Sequence, residues 1–457
     1  MLLITIAVEI FGQDCFRRMM RDSMLIVLFL SLSDAVSGVT DPRVAITDRS
    51  AAEYNATIES HTRDAVELMR RYAARTGLIG DNPQKRYLWT DAFAVCNYLG
   101  LARTTGEPGY HDLALELIDR VHQVLGRHRQ DDPRQGWISG LDEAQGEKHP
   151  TIGGLRIGKE MPERGPGEIF DQELEWDRDG QYFHYLMRWA YALDQAARTT
   201  RDPRYNRWAR ELAETAVNAF SYSPQADADR QRMYWKMSID LSRPQVLSMG
   251  RHDPLEGYIG NLQLMLTAAE LQIQNEGPDL VKVTRQLELM LQQDKLYTQD
   301  ALGIGGMLVD AYQVMQLLPA AAPDLRHKLL LLLDRLLTDA IAGLQDFLQT
   351  GELRKPAQQR YGFRELGLSI GLHAVERMQL GFKLEPTLTV VDGIDLSRLR
   401  WQLAVLGDFA PVAARIETFW LQAIHSGELR SKHQDITEVM LATSLAPAGY
   451  LDRVPLE

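Results

Sequence analysis

The sequence is poor in cysteine, with only Cys15 and Cys96 among its 457 residues. Two thiols are too few for a disulfide scaffold, and they cannot form a multi-cysteine zinc or iron–sulfur site. The sequence also lacks a P-loop, a dinucleotide-binding glycine loop, a His-Glu-x-x-His zinc motif and a Gly-x-Ser-x-Gly nucleophile motif. We therefore predict neither a bound metal ion nor a cofactor.

An excess of basic residues is also missing. Lys and Arg total 50 against 62 Asp and Glu, which gives a formal net charge of −12. Because nucleic-acid binding domains usually carry a basic surface, this balance argues against a nucleic-acid partner. With 45% hydrophobic and 25% charged residues, the composition is that of a globular protein rather than a disordered or collagen-like chain. At ~150 residues per domain, the length alone suggests about three domains or one large one.

The sequence contains no convincing membrane span at its N-terminus. An apolar run at residues 25–32 follows a short basic segment, but a span needs ~20 apolar residues. The pattern matches the outline of a secretory signal, in which case residues 1–38 would direct export. The alternative that we favour is an over-extended gene start. We thus predict a leader over residues 1–49, one domain over residues 50–457, a cytoplasmic location and no membrane partner.

Strand patterns are scarce, and the best candidate, Thr387 to Val391, is isolated. Helical patterns dominate, and they alternate between two kinds. The first kind is apolar nearly all round, as at 87–102 and 180–197, and such helices must be buried on every face. The second kind has one apolar face, as at 110–127 and 203–220, so its other face meets water. The predicted helices lie near 51–76, 87–104, 110–128, 180–200, 204–221, 256–275, 279–294, 301–318, 323–349, 362–379, 397–407, 409–426 and 433–445.

Two of the short turns between helices repeat each other. Residues 102–110 read Ala-Arg-Thr-Thr-Gly-Glu-Pro-Gly-Tyr, and residues 197–205 read Ala-Arg-Thr-Thr-Arg-Asp-Pro-Arg-Tyr. In each copy an acidic residue ends the turn and proline occupies the first position of the next helix, where its missing N–H costs nothing. The alternation therefore reflects a repeated helical hairpin.

Alternating helices joined by Thr-Thr-x-acid-Pro-x-Tyr turns resemble the six-hairpin glycosidase-like superfamily, over about residues 50–445. The resemblance implies an all-α fold, an (α/α)6 toroid of alternating inner and outer helices with long loops at one end. That superfamily includes glycoside hydrolases, unsaturated-uronyl hydrolases, polysaccharide lyases with related toroids, and sugar epimerases. It therefore implies a carbohydrate-active protein whose partner is a saccharide, and it leaves the oligomeric state open.

The connections between the predicted helices alternate in length. The long ones are 129–178, 222–255, 350–361 and 380–396, and the others are short turns. Since alternate connections of antiparallel hairpins lie on opposite faces, we expect the long loops to share one face with the starts of the inner helices. Unpaired N–H groups of those helices are available there as hydrogen-bond donors.

Carboxylates, aromatic residues and basic residues concentrate at these helix starts. Glycoside hydrolysis needs one protonated and one ionised carboxyl group, so we predict Asp91, Asp177, Asp179 and Asp253 as the catalytic candidates. Asp91, Asp179 and Asp253 could each instead be only a helix cap. Aromatic rings stack on sugar faces, and charged groups hydrogen-bond to hydroxyls. The predicted substrate-binding residues are Trp89, Trp176, Arg178, Gln181, Tyr182, His184, Trp235, Lys236, His252 and Arg360.

Two other functions remain open on the sequence alone. A sugar epimerase or isomerase would use histidine bases, and His149, His184, His252 and His373 are the candidates. A non-catalytic toroid that binds a saccharide or acts as a scaffold would need neither a pair of carboxylates nor a pair of histidines. The discriminating feature is whether two carboxylates or two histidines face one pocket. We favour a glycoside hydrolase-like enzyme over these alternatives.

Overall fold

Each predicted helix has a counterpart in the computed structural model, which describes residues 42–165, 167–224, 230–292, 295–384, 396–428 and 433–455. The helices are α1 (Pro42–Arg75), α2 (Leu88–Thr105), α3 (Pro108–Leu125), α4 (Glu143–Lys148), α5 (Gln172–Asp177), α6 (Phe183–Thr200), α7 (Pro203–Phe220), α8 (Asp253–Glu270), α9 (Val281–Leu291), α10 (Ala301–Leu317), α11 (Pro323–Gln349), α12 (Gly362–Leu384), α13 (Leu396–Gly407), α14 (Ala410–His425), α15 (Gln434–Leu445) and α16 (Ala448–Leu451). The strands are β1 (Gln181–Tyr182), β2 (Ser221–Tyr222), β3 (Arg232–Met233), β4 (Lys236–Met237) and β5 (Pro244–Val246).

Six inner helices close a ring within the unit Thr62–Glu457. Helices α2, α6, α8, α10, α12 and α15 each pack against the next, and α15 packs against α2. Helices α3, α7, α9, α11 and α14 pack outside them, and the end of α1 joins α15 through the ion pair of Arg75 with Glu438, 2.7 Å. The predicted all-α fold, an (α/α)6 toroid of inner and outer helices, is confirmed.

The two helix types bury their side chains as their patterns predict. In α2, every residue from Leu88 to Leu101 is buried. In the outer helix α3, burial is confined to one face, which includes Ala114, Leu117 and Val121. The stretch Ala301–Ala320 has the length and composition of a membrane span, but most of it is buried among its neighbours as inner helix α10. The core thus lies between the two layers of the ring.

The repeated turns have the geometry that their sequences predict. Gly106 ends α2 with φ 72°, and Arg201 ends α6 with φ 59°, so both lie in the left-handed region. Glycine adopts this conformation at little cost, whereas arginine there is unusual. Pro108 and Pro203 are the first residues of the helices that follow.

The five short strands were not predicted, because each spans only two or three residues. Strands β1, β4 and β5 form one antiparallel sheet in the order β1-β4-β5, and β2 pairs with β3. They lie in or beside the long connections after α3 and α7. The predicted strand Thr387 to Val391 and residues 1–41 of the predicted leader lie outside the described residues, as does most of the loop 380–396.

The C-terminal segment, residues 446–455, closes the ring at the end of the short turns. Its helix α16 contacts α2 and α10, which stand opposite each other in the ring. Tyr191 donates a hydrogen bond to the carbonyl of Tyr450 (2.5 Å), and Gln316 donates one to the carbonyl of Leu451 (3.1 Å). The Tyr450 ring stacks on Phe93 with centroids 4.5 Å apart. The segment therefore forms the floor of the ring.

The floor depends on glycine where α16 crosses α2. A Cβ atom on Gly449 would lie 2.4 Å from the carbonyl oxygen of Cys96, which real contacts do not allow. We predict that Gly449→Ala lowers the free energy of unfolding by about 1–3 kcal/mol, as overpacking does in other cores. Gly109→Ala is the matched control, since a Cβ at Gly109 meets no atom within 4 Å. Urea unfolding checks both variants, and equal stability of the two would contradict the prediction.

Candidate functional site

A cavity of about 570 Å³ opens among the starts of the inner helices. All six inner helices contribute to its lining, as the alternating connections predict. The lining includes at least one residue from each inner helix: Trp89 of α2, His184 of α6, Asp253 of α8, Gly303 of α10, Phe363 of α12 and Ile436 of α15. Tyr450 of the C-terminal segment lines it as well. Its volume lies within the ~300–1,000 Å³ typical of small-molecule sites.

Aromatic rings form one wall of the cavity. Trp176 packs edge-to-face on Trp235 with centroids 5.0 Å apart and stacks on Tyr182 at 6.3 Å. Tyr182 stacks in turn on His184 at 5.5 Å. Trp89 lies in the lining as well, 6.3 Å from Tyr185. These predicted substrate-binding residues therefore meet at one site, although they come from distant segments of the chain.

Lys236 and Gln181 hold this wall from behind and do not line the cavity. The Lys236 ammonium donates to the carbonyls of Glu175 and Arg178, 2.5 Å each, on either side of Trp176. Burial, together with the charge of nearby Lys159, lowers the pKa of Lys236 to about 7. The Gln181 amide donates to the carbonyl of Ile239, 2.7 Å. The structure thus gives both predicted binding residues a supporting position.

Asp253 is the predicted catalytic carboxylate that lines the cavity. It is the first residue of α8, its side chain is buried, and its Oδ2 atom has no hydrogen-bond partner among the described residues. Burial, reinforced by the negative charge of Glu256, raises the pKa of Asp253 well above its usual value. This shift favours the protonated form of Asp253, which is the form that a general acid requires.

Glu256 is a second cavity carboxylate that was not among the predicted catalytic residues. It lies three residues after Asp253, so the two share a face of α8. Arg188 forms an ion pair with Glu256 (2.8 Å) and donates a second hydrogen bond to the hydroxyl of Tyr450 (2.6 Å). The Asp253–Glu256 spacing in the sequence could have revealed this pair.

A third carboxylate in the lining, Asp300, is committed to other contacts. Asp300 caps the start of α10 by accepting from the backbone N–H of Gly303, 3.1 Å. It also pairs with Arg364, 2.6 Å. Because both of its oxygens are engaged, Asp300 is a less available acid or base than Asp253.

Two of the predicted histidines, His184 and His252, also line the cavity. The Nδ1 atom of His184 lies 3.9 Å from the Asp253 carboxylate, and burial lowers the pKa of His184 to about 4. His252 Nε2 contacts the carbonyl of Leu296 at 2.7 Å, and burial lowers its pKa as well. Both imidazoles are therefore neutral near pH 7.

The structure places three predicted catalytic residues outside the cavity lining. Asp91 is fully buried and accepts hydrogen bonds from the hydroxyl of Tyr72 (2.5 Å) and the backbone N–H of Tyr87 (2.9 Å). Asp179 is also fully buried and pairs with Arg156, 2.6 Å. Asp177 is exposed at the end of α5. Asp91 and Asp179 stabilise their surroundings, but neither is a helix cap, because Tyr87 and Tyr182 occupy the N-cap positions of α2 and α6.

Arg178 and Arg360, which were predicted to bind substrate, are likewise outside the lining. Arg178 pairs with Glu168, 2.6 Å, within the long loop. Arg360 is buried beside Glu365, to which it donates from both Nε (2.8 Å) and Nη2 (2.5 Å). Each guanidinium is occupied by a carboxylate of the protein, so neither offers a free charge to a ligand in the cavity.

The other two candidate histidines lie away from the cavity. His149 contacts Glu211 at 2.7 Å, and His373 contacts Glu417 at 2.7 Å and Glu376 at 3.0 Å. Burial opposes the charge of His373, but the two carboxylates outweigh it and raise its pKa to about 9. His373 is therefore a charged structural residue.

His373 should make stability depend on pH. The pKa of His373 is about 9 in the folded protein and ~6.5 in the unfolded chain. Its contribution to the free energy of unfolding is therefore complete below pH ~6.5 and is lost as the pH rises through 9. We predict that His373→Gln lowers the free energy of unfolding most below pH 6.5 and progressively less up to pH 9. Urea unfolding of both proteins at several pH values measures this difference. A constant difference across that range would contradict the prediction.

Within the described ranges, no three His, Cys, Asp or Glu side chains are grouped to hold a metal ion. The free thiol of Cys96 is buried within α2, and burial raises its pKa to about 12, so it is a poor nucleophile. The chemistry of the cavity therefore depends on its acids, its histidines and its aromatic wall.

Comparison with known proteins finds matches among solved structures only. No family model matches this chain, and no curated protein matches it. One of the matching structures is a GH76 alpha-mannanase from Bacteroides thetaiotaomicron, with 9% identity and a TM-score of 0.44 over 85% of this chain and 96% of that one. The function of this chain must be inferred from its own residues.

Proposed function

We propose that this protein is a glycoside hydrolase-like enzyme that binds a saccharide in the cavity. One observation carries the proposal: the aromatic-lined cavity contains a buried carboxyl group with a raised pKa, Asp253, beside an ion-paired carboxylate, Glu256. Glycosidases need this combination, since one group protonates the leaving oxygen while the other acts as nucleophile or base.

Asp253 would supply the proton to the glycosidic oxygen. Its buried position favours the neutral form, and the departing sugar oxygen would take that proton as the bond breaks. Glu256, whose carboxylate is paired with Arg188, would then act on the sugar carbon or on a water molecule. In this proposal Asp253 keeps its predicted catalytic role, and Glu256 takes the place of Asp91, Asp177 and Asp179 in the catalytic pair.

The aromatic wall would bind the apolar faces of the sugar rings. Trp176 and Trp235 belong to the two longest connections, which gives those loops a function beyond closing the ring. Arg251 is exposed at the cavity and donates one N–H group to the carbonyl of Tyr297, and its other guanidinium N–H groups would hydrogen-bond to hydroxyls.

A sugar epimerase is the second candidate, because His184 and His252 both line the cavity. A two-base epimerase needs one group that removes a proton and another that returns one. Since the pKa values of both histidines are lowered, each could accept a proton but neither holds one to donate near neutral pH. The histidine pair thus supports this function less well than the carboxyl pair supports hydrolysis.

A panel of oligosaccharides, including uronate-containing ones, tests these proposals. We expect folded protein to release new reducing ends from at least one substrate. Change of configuration without new reducing ends would favour the epimerase, and binding without turnover would favour a saccharide-binding toroid. If the folded protein neither binds nor converts any saccharide, all three functions are contradicted.

A further inference from the structure

A small second cavity adjoins the large one. It measures about 20 Å³, and Arg188 and Glu256 line both cavities. Arg188 and Glu256 therefore border both the substrate cavity and this small space among α6, α8 and α10. The remaining residues that line this space are Met187, Tyr191, Gly260, Gln263, Asp310 and Gln313.

Three side-chain oxygens in this lining have no hydrogen-bond partner among the described residues. They are Glu256 Oε2, Gln263 Oε1 and Asp310 Oδ2, and each is buried. Gln263 and Asp310 are each only 2% exposed. Leaving a buried polar atom unpaired costs about 1–3 kcal/mol, so three of them around one space need an explanation.

The size and polarity of the space fit one water molecule. A cavity of ~10–15 Å³ or more holds a water when two to four polar groups surround it. Water has two hydrogens to donate, so three bare acceptors would leave one oxygen unsatisfied. If Asp310 carries a proton, its hydroxyl donates to the water, and the water donates to Glu256 and Gln263. Every oxygen is then satisfied.

We propose that a bound water in the small cavity joins a protonated Asp310 to the carboxylate of Glu256. Asp310 is then a positioning residue, which steadies Glu256 through the water without contacting the substrate. Its importance for catalysis rests on the proposed function, whereas the water-mediated link does not.

The surrounding charges are consistent with a proton on Asp310. Burial raises the pKa of Asp310 to about 8, Arg188 opposes this rise, and the negative charge of Glu256 adds to it. The other titratable groups that face this region are Tyr191 from α6 and Tyr450 from α16. Above pH 8, Asp310 would lose its proton, and Glu256 would face a second negative charge in place of a donor.

Infrared difference spectroscopy tests the link without any substrate. At pH 7, Asp310→Asn should remove one carbonyl band of a protonated carboxylic acid from the wild-type spectrum. Glu256→Gln should shift that same band, since it changes the group at the other end of the water. Glu270→Gln is the control, because Glu270 pairs with Arg198 and Arg453 and does not line the small cavity. We expect this control to leave the band in place.

Each outcome decides the inference. An unchanged spectrum for Asp310→Asn would show that Asp310 is ionised, and an unshifted band in Glu256→Gln would show that the two groups are not linked. If Asp310→Asn does not fold, the shift in Glu256→Gln and the loss of the wild-type band near pH 8 give the same decision.

Activity provides a separate arm if the saccharide panel finds a substrate. Asp310→Asn keeps an N–H donor, so its kcat at pH 7 should remain close to that of the wild-type protein. The part of the decrease in wild-type kcat above pH 8 that Asp310 causes should be absent from this variant. Asp310→Leu has no donor, and kcat should fall by about tenfold, the effect of one lost hydrogen bond to a charged group. Absence of turnover together with the expected infrared bands would contradict the hydrolase function alone.

Discussion

Asp253→Asn should lower kcat for a cleaved saccharide by about 10²- to 10⁴-fold, the usual contribution of a general acid. Asparagine has nearly the same shape but cannot give up a proton to the leaving oxygen. Since burial raises the pKa of Asp253 and its shortest ion pair among the described residues is the 3.9 Å contact with His184, the substitution should leave the fold intact. Initial rates on the best substrate, with circular dichroism as the check on folding, measure the effect.

Asp177→Asn is the matched control for this variant. Asp177 is exposed and outside the cavity lining, so the kcat of Asp177→Asn should match that of the wild-type protein.

A substrate whose leaving group needs no protonation gives a second test. Asp253→Asn should carry out the first bond-breaking step on such a substrate at nearly the wild-type rate. Full activity of Asp253→Asn on unactivated substrates would remove Asp253 from the mechanism.

Arg188→Met should lower the free energy of unfolding by about 3–5 kcal/mol, because it leaves a largely buried carboxylate without its partner. Arg188 and Glu256 have side chains that are only 11% and 16% exposed, and Arg188 also donates to Tyr450. Methionine retains much of the length of the side chain but none of its charge or donors. Urea unfolding near pH 7 measures the loss.

The double variant Arg188→Met with Glu256→Gln should recover part of that loss, since no charge is then left unpaired. Arg120→Met is the surface control. Arg120 pairs with Glu116 on the exposed side of α3, and such pairs contribute about 0–1 kcal/mol. If Arg188→Met were no more destabilising than Arg120→Met, the buried pair would not have the role that we assign to it.

The fold could be predicted largely from the sequence because its two helix types have different patterns. The all-apolar pattern of α2 leaves no face for solvent, and the repeated turns at Gly106 and Arg201 define the hairpins. Helix α11 even begins and ends where the pattern places it, at Pro323 and Gln349. These patterns lie in neighbouring residues, so they can be recognised without any knowledge of tertiary structure.

The site could be predicted only in part, because its chemistry depends on which way side chains face. Asp91 and Asp253 both lie near the start of an inner helix, but Asp91 turns to Tyr72 and Arg86 whereas Asp253 faces the cavity. No periodicity distinguishes these orientations. Tyr450 could not have been foreseen, since it reaches the cavity from a segment that follows the last inner helix.

Closure of the ring by α15 and the C-terminal segment sets the order in which the protein can fold. The Asn97 amide donates to the carbonyl of Val439, 3.2 Å away but 342 residues later in the chain. Helical hairpins can form while the chain is being synthesised, but the contacts that join the first inner helix to the last must wait for residues near 450. Contacts of such long sequence separation form slowly. We therefore expect nascent chains to remain open and chaperone-dependent, and to become protease-resistant only in a late step.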